Sequence, residues 1–104
     1  EEAVKGVDAV YTDVWTSMGQ EQEKTQRHKA FEGFQVNEKL MNHAGEKSIF
    51  LHCLPAHRGE EVTDEVVDGL ASRVWIQAEN RMHAARGLLA WLVEKNIEEG
   101  NKHE

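Results

Sequence analysis

Three residues able to do chemistry, the carboxylate Asp13, the thiol Cys53 and the guanidinium Arg81, stand far apart in a chain of 104 residues, each in a polar-rich segment. The segment DVWTSMGQE carries Asp13, then hydroxyls, then a glycine that lets the backbone turn closely round a ligand. Asp13 could hold a substrate ammonium, while Ser17 and nearby backbone N–H groups could meet a carboxylate. Taken alone, Asp13 reads equally well as a helix cap or turn former. The segment HCLPAHRG places Cys53 where an apolar run gives way to a proline-constrained turn. A buried free thiol is usually an inert small hydrophobe, and it becomes reactive when a carboxylate or imidazole shares its pocket. The segment ENRMHAARG sets Arg81 in the first turn of an expected helix, where its guanidinium and the helix N–H groups would receive a carbonyl oxygen or an anion. The plainer alternative pairs Arg81 with Glu79 on the surface. His52 and His57 are conceivable metal ligands with Cys53, but adjacent residues on a strand point to opposite faces, and no CxxC or HxxxH spacing is present. No metal and no cofactor are expected.

The elements that must position these groups alternate. Glu2 to Lys5 reads as the last turn of a helix with Gly6 after it. Val7 to Trp15 is β-branched, aromatic and too short for a helix, so a buried strand ending near Asp13 is predicted. Thr16 to Gly19 leaves that strand as a loop, and Gln20 to Lys29, polar all round, reads as a solvated helix or ordered loop. Asn37 caps a short helix bearing Leu40, Met41 and Ala44 on one side, and Gly45 ends it. Ser48 to Leu54 is a second strand, stopped by Pro55. Thr63 caps a third helix with Asp64 and Glu65 in its first turn, closed by Gly69. Arg73 to Gln77 reads as a third strand, and a last helix is expected from Glu79 to about Lys95, with Met82, Ala85, Leu89 and Leu92 along one apolar stripe. Alternation with short connections implies parallel pairing with right-handed crossovers. The expected fold is α/β: part of a doubly wound, Rossmann-like parallel sheet of three strands with flanking helices and at least one bare sheet edge. Ligands bind outside the carboxyl ends of such strands, which would bring the segments of Asp13, Cys53 and Arg81 to one rim.

Composition narrows the partners. Hydrophobic residues make up 39% and charged residues 30%, with a single Pro, a globular balance. A domain of this size buries only about 60–68% of the surface its unfolded chain exposes, so its core is thin. The net charge of −7, without a lysine/arginine cluster, argues against nucleic acid. No apolar run approaches the ~18–20 residues of a membrane span, and Glu1 to Gly6 carry no targeting signal. The chain lacks an initiator Met and is expected to begin inside something longer. Cys53, as the single cysteine, suits a reducing compartment.

In order and spacing, DVWTSMGQE, FQVNEKL, FLHCLPAHRGEEVTDEVVDG and AENRMHAARGLLAWL resemble ornithine transcarbamylase, from about Val7 to Asn96. Aspartate transcarbamylase shares the fold but resembles neither the HCLP nor the SMG motif closely. The resemblance implies transfer of the carbamoyl group of carbamoyl phosphate to the δ-amino group of L-ornithine. It implies that Asp13 contacts the α-amino group of ornithine and that Ser17 and Met18, on a loop that closes over the site, hold its carboxylate end. Cys53 would lie beside the reacting amine, with binding and proton-acceptor roles, while the Leu54 carbonyl and Arg81 orient the carbamoyl group. The family has an acidic residue soon after the tryptophan of RVWIQ, where Ile76-Gln77 stands here. The family's phosphate loop and His-Pro segment precede the matching region, so the 104 residues amount to part of an ornithine-binding domain without the carbamoyl-phosphate domain. The expected partners are that amino-terminal domain and a homotrimer or multiple of trimers, in the cytoplasm or the mitochondrial matrix. The chain alone is expected to be inactive. Two alternatives stand beside this reading: a non-catalytic, self-associating fragment, and a transcarbamylase acting on putrescine or an acylated ornithine.

Overall fold

The two apolar runs form the sheet, though each is shorter than its run. The computed structural model describes residues 2–16, 19 and 21–100. After a 3-10 turn at Glu2–Val4 and Gly6 with φ +71°, strand β1 spans Ala9–Thr12, and strand β2 spans Ile49–His52. They pair in parallel, in register from Ala9 opposite Ile49 to Thr12 opposite His52. Between them lie a 3-10 turn at Glu21–Glu23, helix α1 over Lys24–Phe31 and helix α2 over Glu38–Ala44. The polar stretch is therefore helical, with an Arg27–Glu23 ion pair one turn apart. At α2 the Asn37 side chain accepts the Leu40 N–H at 3.0 Å and Gly45 returns its N–H to the Met41 carbonyl, as its composition predicts.

Helix α3 spans Asp64–Val67. Thr63 stands in extended backbone before it, but its hydroxyl bonds no helix N–H, so that cap is made by position only. Gly69 closes the turn for a steric reason: a Cβ there would stand 2.5 Å from the Glu65 carbonyl oxygen.

The expected third strand does not form. A parallel bridge joins Phe50 to Ser72, with Phe50 N–H donating to the Ala71 carbonyl and Arg73 N–H to the Phe50 carbonyl, both at 2.9 Å. Helix α4 then runs unbroken over Val74–Gly100. RVWIQ is a short apolar run that periodicity cannot assign, and no glycine or proline separates it from the helical sequence behind it. The helical period decides the packing: Val74 is fully buried and Gln77, three residues on, turns inward, while Trp75 and Ile76 are exposed. Gln77 also stands in for the missing strand, its Oε1 accepting the His52 N–H at 3.0 Å. The stripe of Met82, Ala85, Leu89 and Leu92 lies exposed instead of packing on the sheet. The core gathers Val10, Val36, Ala44, Phe50, Val62, Val66, Val67 and Val74 on the face of the strands that α2 and α3 cover.

Candidate functional site

Register and parity place the site. The paired positions along β1 and β2 differ by a constant offset that, continued one step past Thr12 and His52, sets Asp13 beside Cys53. Alternation sends Val10, Phe50 and His52 into the core, and Tyr11, Asp13 and Cys53 to the other side. His52 and Cys53 therefore leave β2 on opposite sides, which keeps imidazole and thiol out of one ligand set.

On the outward side Tyr11, Cys53 and Asp13, with Gln77 beside Tyr11, lie close enough to shift one another's proton affinity. The Val14 N–H donates to Asp13 Oδ1 at 2.7 Å. Asp13, exposed, has its pKa lowered, first by the neighbouring Cys53 thiol and then by the Val14 N–H, so it stays ionised in neutral water. Cys53, half-buried, has its pKa raised, first by desolvation and then by the Asp13 carboxylate beside it, against the lowering effect of the Tyr11 hydroxyl. The Tyr11 hydroxyl is raised by the same contact with Cys53. The arrangement is a charged carboxylate that can grip an ammonium, beside a thiol that holds its proton. Tyr11, Thr12, Asp13, Val14, Trp15, Phe31 and Phe34 line the adjoining cleft, with Trp15 and Phe31 stacked at 6.3 Å.

The turn behind Cys53 is held from inside the core. The Leu54 N–H donates to His52 Nδ1 at 2.8 Å, which leaves the proton of this imidazole on Nε2, 2.9 Å from Glu61 Oε1. Glu61 is fully buried, and the same oxygen accepts the His57 N–H at 2.7 Å. Leu54 itself has φ +57°, a left-handed conformation that a leucine adopts only under constraint.

Of the residues singled out from sequence, Asp13, Cys53 and Leu54 come together. Arg81 is not in the first turn of its helix, because α4 begins at Val74; it is exposed and makes no hydrogen bond or ion pair among the described residues. It follows Gln77 by four residues, hence on the same helix face about 5–6 Å further along. Ser17 and Met18 lie outside the described residues. The sequence reading missed Tyr11 and Gln77. Tyr11 was legible through its parity with Asp13, whereas Gln77 was hidden by the assignment of its segment to a strand.

A parallel strand pair with a carboxylate and a thiol at its carboxyl rim defines the class, an α/β domain that binds its ligand at the strand ends. Residues 1–92 match the family described as aspartate/ornithine carbamoyltransferase, Asp/Orn binding domain, and the chain belongs to that family. The ornithine carbamoyltransferase of Pyrobaculum calidifontis is 60% identical over 92 residues, covering 88% of this chain and 30% of that protein. The ornithine carbamoyltransferase structure from Pyrococcus furiosus is 60% identical with a TM-score of 0.78, over 86% of this chain and 28% of that one. The anabolic ornithine carbamoyltransferase of Campylobacter jejuni is 45% identical with a TM-score of 0.83, over 90% of this chain and 31% of that one. The chain thus spans about 30% of the length of the curated relatives it matches.

Proposed function

We propose that this chain supplies the ornithine-binding half of an ornithine carbamoyltransferase. The observation that carries the reading is the juxtaposition of ionised Asp13 and protonated Cys53 at the strand-end rim. In the reaction the neutral δ-amine attacks the carbamoyl carbon, a C–N bond forms, the bond to the phosphate oxygen breaks, and the amine gives up a proton. Asp13 grips the α-ammonium of ornithine, and Ser17 and Met18 hold its carboxylate end. Cys53 lies beside the δ-amine. A thiol with a raised pKa is already protonated at neutral pH, so in this reading Cys53 chiefly positions ornithine, and it accepts a proton only after passing its own to Asp13. The Leu54 carbonyl and the Arg81 guanidinium orient the carbamoyl group, Arg81 countering the negative charge that develops on its oxygen. The other half of the site is contributed by an amino-terminal carbamoyl-phosphate domain within a homotrimer or multiple of trimers. A single thiol kept reduced at the site suits the cytoplasm or the mitochondrial matrix.

The test is citrulline formation by the chain alone and by the chain combined with a carbamoyl-phosphate domain. Turnover is expected only in the combination. There, Asp13→Asn should raise the KM for ornithine by about 10-fold or more, as loss of a charged hydrogen bond does, with little change in that for carbamoyl phosphate. Equal loss toward both substrates would remove Asp13 from the ornithine site, and turnover with putrescine or acetylornithine in preference to ornithine would change the amine.

A further inference from the structure

A second cluster of donor groups lies in the segment that follows β2. His57, Glu60 and Glu61 each bring one donor atom within 4.8 Å of the others. Glu60 Oε2 stands 3.5 Å from His57 Nδ1 and 3.1 Å from His28 Nε2, which α1 carries in from the other side of the sequence. Ligand atoms on a tetrahedral zinc, each ~2.0–2.1 Å from the metal, stand roughly 3.3 Å apart. The three donors of His57, Glu60 and Glu61 are close enough for a modest side-chain shift to bring them round one ion.

Two observations argue that these contacts are more than ion pairs. His28 Nε2 and Glu60 Oε2, though 3.1 Å apart and shielded from solvent, make no hydrogen bond, so the ring nitrogen is not directed at the oxygen. Independently, Glu61 is fully buried and spends only one oxygen: Oε1 accepts from His52 Nε2 and the His57 N–H, while Oε2 is buried with no partner. An unpartnered buried carboxylate oxygen is costly, and in native proteins it marks a missing partner. The local charges do not supply one. Arg58 is taken by Asp64 and Asp68, at 2.7 and 2.6 Å, and Lys24 reaches only the far oxygen of Glu60, at 3.7 Å. Lys24 thus meets Glu60 alone, and no Lys or Arg among the described residues pairs with the buried Glu61.

We propose that His57, Glu60 and Glu61 bind a divalent transition metal of the zinc class, with His28 standing behind Glu60 as the partner that orients it. An imidazole beside two carboxylates favours zinc, cobalt or nickel over calcium or magnesium, which prefer all-oxygen shells. Through Glu60, which His28 of α1 faces at 3.1 Å, such an ion would join α1 to the turn after β2. Through Glu61 and His52 it would brace the Leu54 N–H and so the backbone that carries Cys53. Trp15, edge-on to the His28 ring at 5.4 Å, links the same ion to the loop that leaves β1.

Zinc titration calorimetry and the visible spectrum of bound cobalt, both on this chain, test the proposal. One equivalent of Zn2+ should bind, Co2+ should show the intense bands of a four-coordinate site, and metal should raise Tm. His57→Ala, Glu60→Gln and His28→Ala, all at exposed or half-exposed positions, should each weaken Zn2+ by about 10-fold or more and remove the Tm gain. Cys53→Ser should leave the Zn2+ affinity unchanged. Absence of stoichiometric binding, or affinity that falls with Cys53→Ser and ignores His57→Ala, would overturn the assignment. Neither readout depends on carbamoyl transfer, so the outcome stands apart from that reading.

Discussion

At the Asp13–Cys53 pair, each group sets the other's proton affinity, and the direction of each effect can be measured without substrate. The nearby carboxylate favours the proton on sulfur, and the Tyr11 hydroxyl favours its loss. Only the thiolate is alkylated, so the rate of reaction with iodoacetamide reports the balance. Because the thiol pKa is raised, the rate at neutral pH should be below that of an ordinary cysteine, and it should climb with pH to beyond the usual thiol range. Asp13→Asn removes a raising influence and should speed alkylation at pH 7. Tyr11→Phe removes a lowering influence and should slow it. The opposite order would mean that the sulfur does not lie between these two groups. The pair was legible in the sequence because strand parity is fixed at two residues, so a residue ending one parallel strand meets its counterpart on the next. Arg81 was less legible: its role as an anion receptor rested on a helix start that lies five residues earlier in space than the sequence suggested. His28 and Glu60 were not legible at all, since no local spacing relates a residue of α1 to a turn that follows β2.

At the scale of elements, the caps and turns whose chemistry is local were readable, and the segment whose fate depends on neighbours was not. Asn37 and Gly45 act through atoms within four residues, and both behave as their types require. RVWIQ has the composition of a strand, yet its one strand-like contact is the bridge at Ser72, and Val74 enters the core as the first residue of a helix. Two substitutions separate a local cap from a steric requirement. Asn37→Ala loses the bond to the Leu40 N–H and should cost about 0.5–2 kcal/mol. Gly69→Ala must move the Glu65 carbonyl, which lies in α3 against the buried Val66 and Val67, and should cost about 1–3 kcal/mol. Urea unfolding checks both. A Gly69→Ala protein as stable as the parent would show that the α3 turn yields freely.

For the whole molecule, the decisive quantity is apolar surface left in water. The described residues extend over 63 × 38 × 23 Å, with α4 reaching away from the small core. Along it Met82, Leu88, Leu89, Trp91, Leu92, Val93 and Ile97 are all exposed, Leu89 by 64%. Each of these half-exposed side chains forfeits part of the about 1.5–3 kcal/mol that complete burial gives, a large sum against the total stability of a domain this small. A patch of this extent marks a surface that meets another protein surface. Within the carbamoyltransferase reading that surface belongs to the remainder of the enzyme; for the chain alone, a second copy is the partner always at hand. Light scattering of the isolated chain should therefore give a mass above the monomer that falls on dilution. Leu89→Glu with Leu92→Glu, changes at positions that touch neither Asp13 nor Cys53, should return it to the monomer while cysteine alkylation proceeds at the parent rate. A strictly monomeric parent would mean that α4 folds back on the body to cover its own stripe, and the extended placement of that helix would then be wrong.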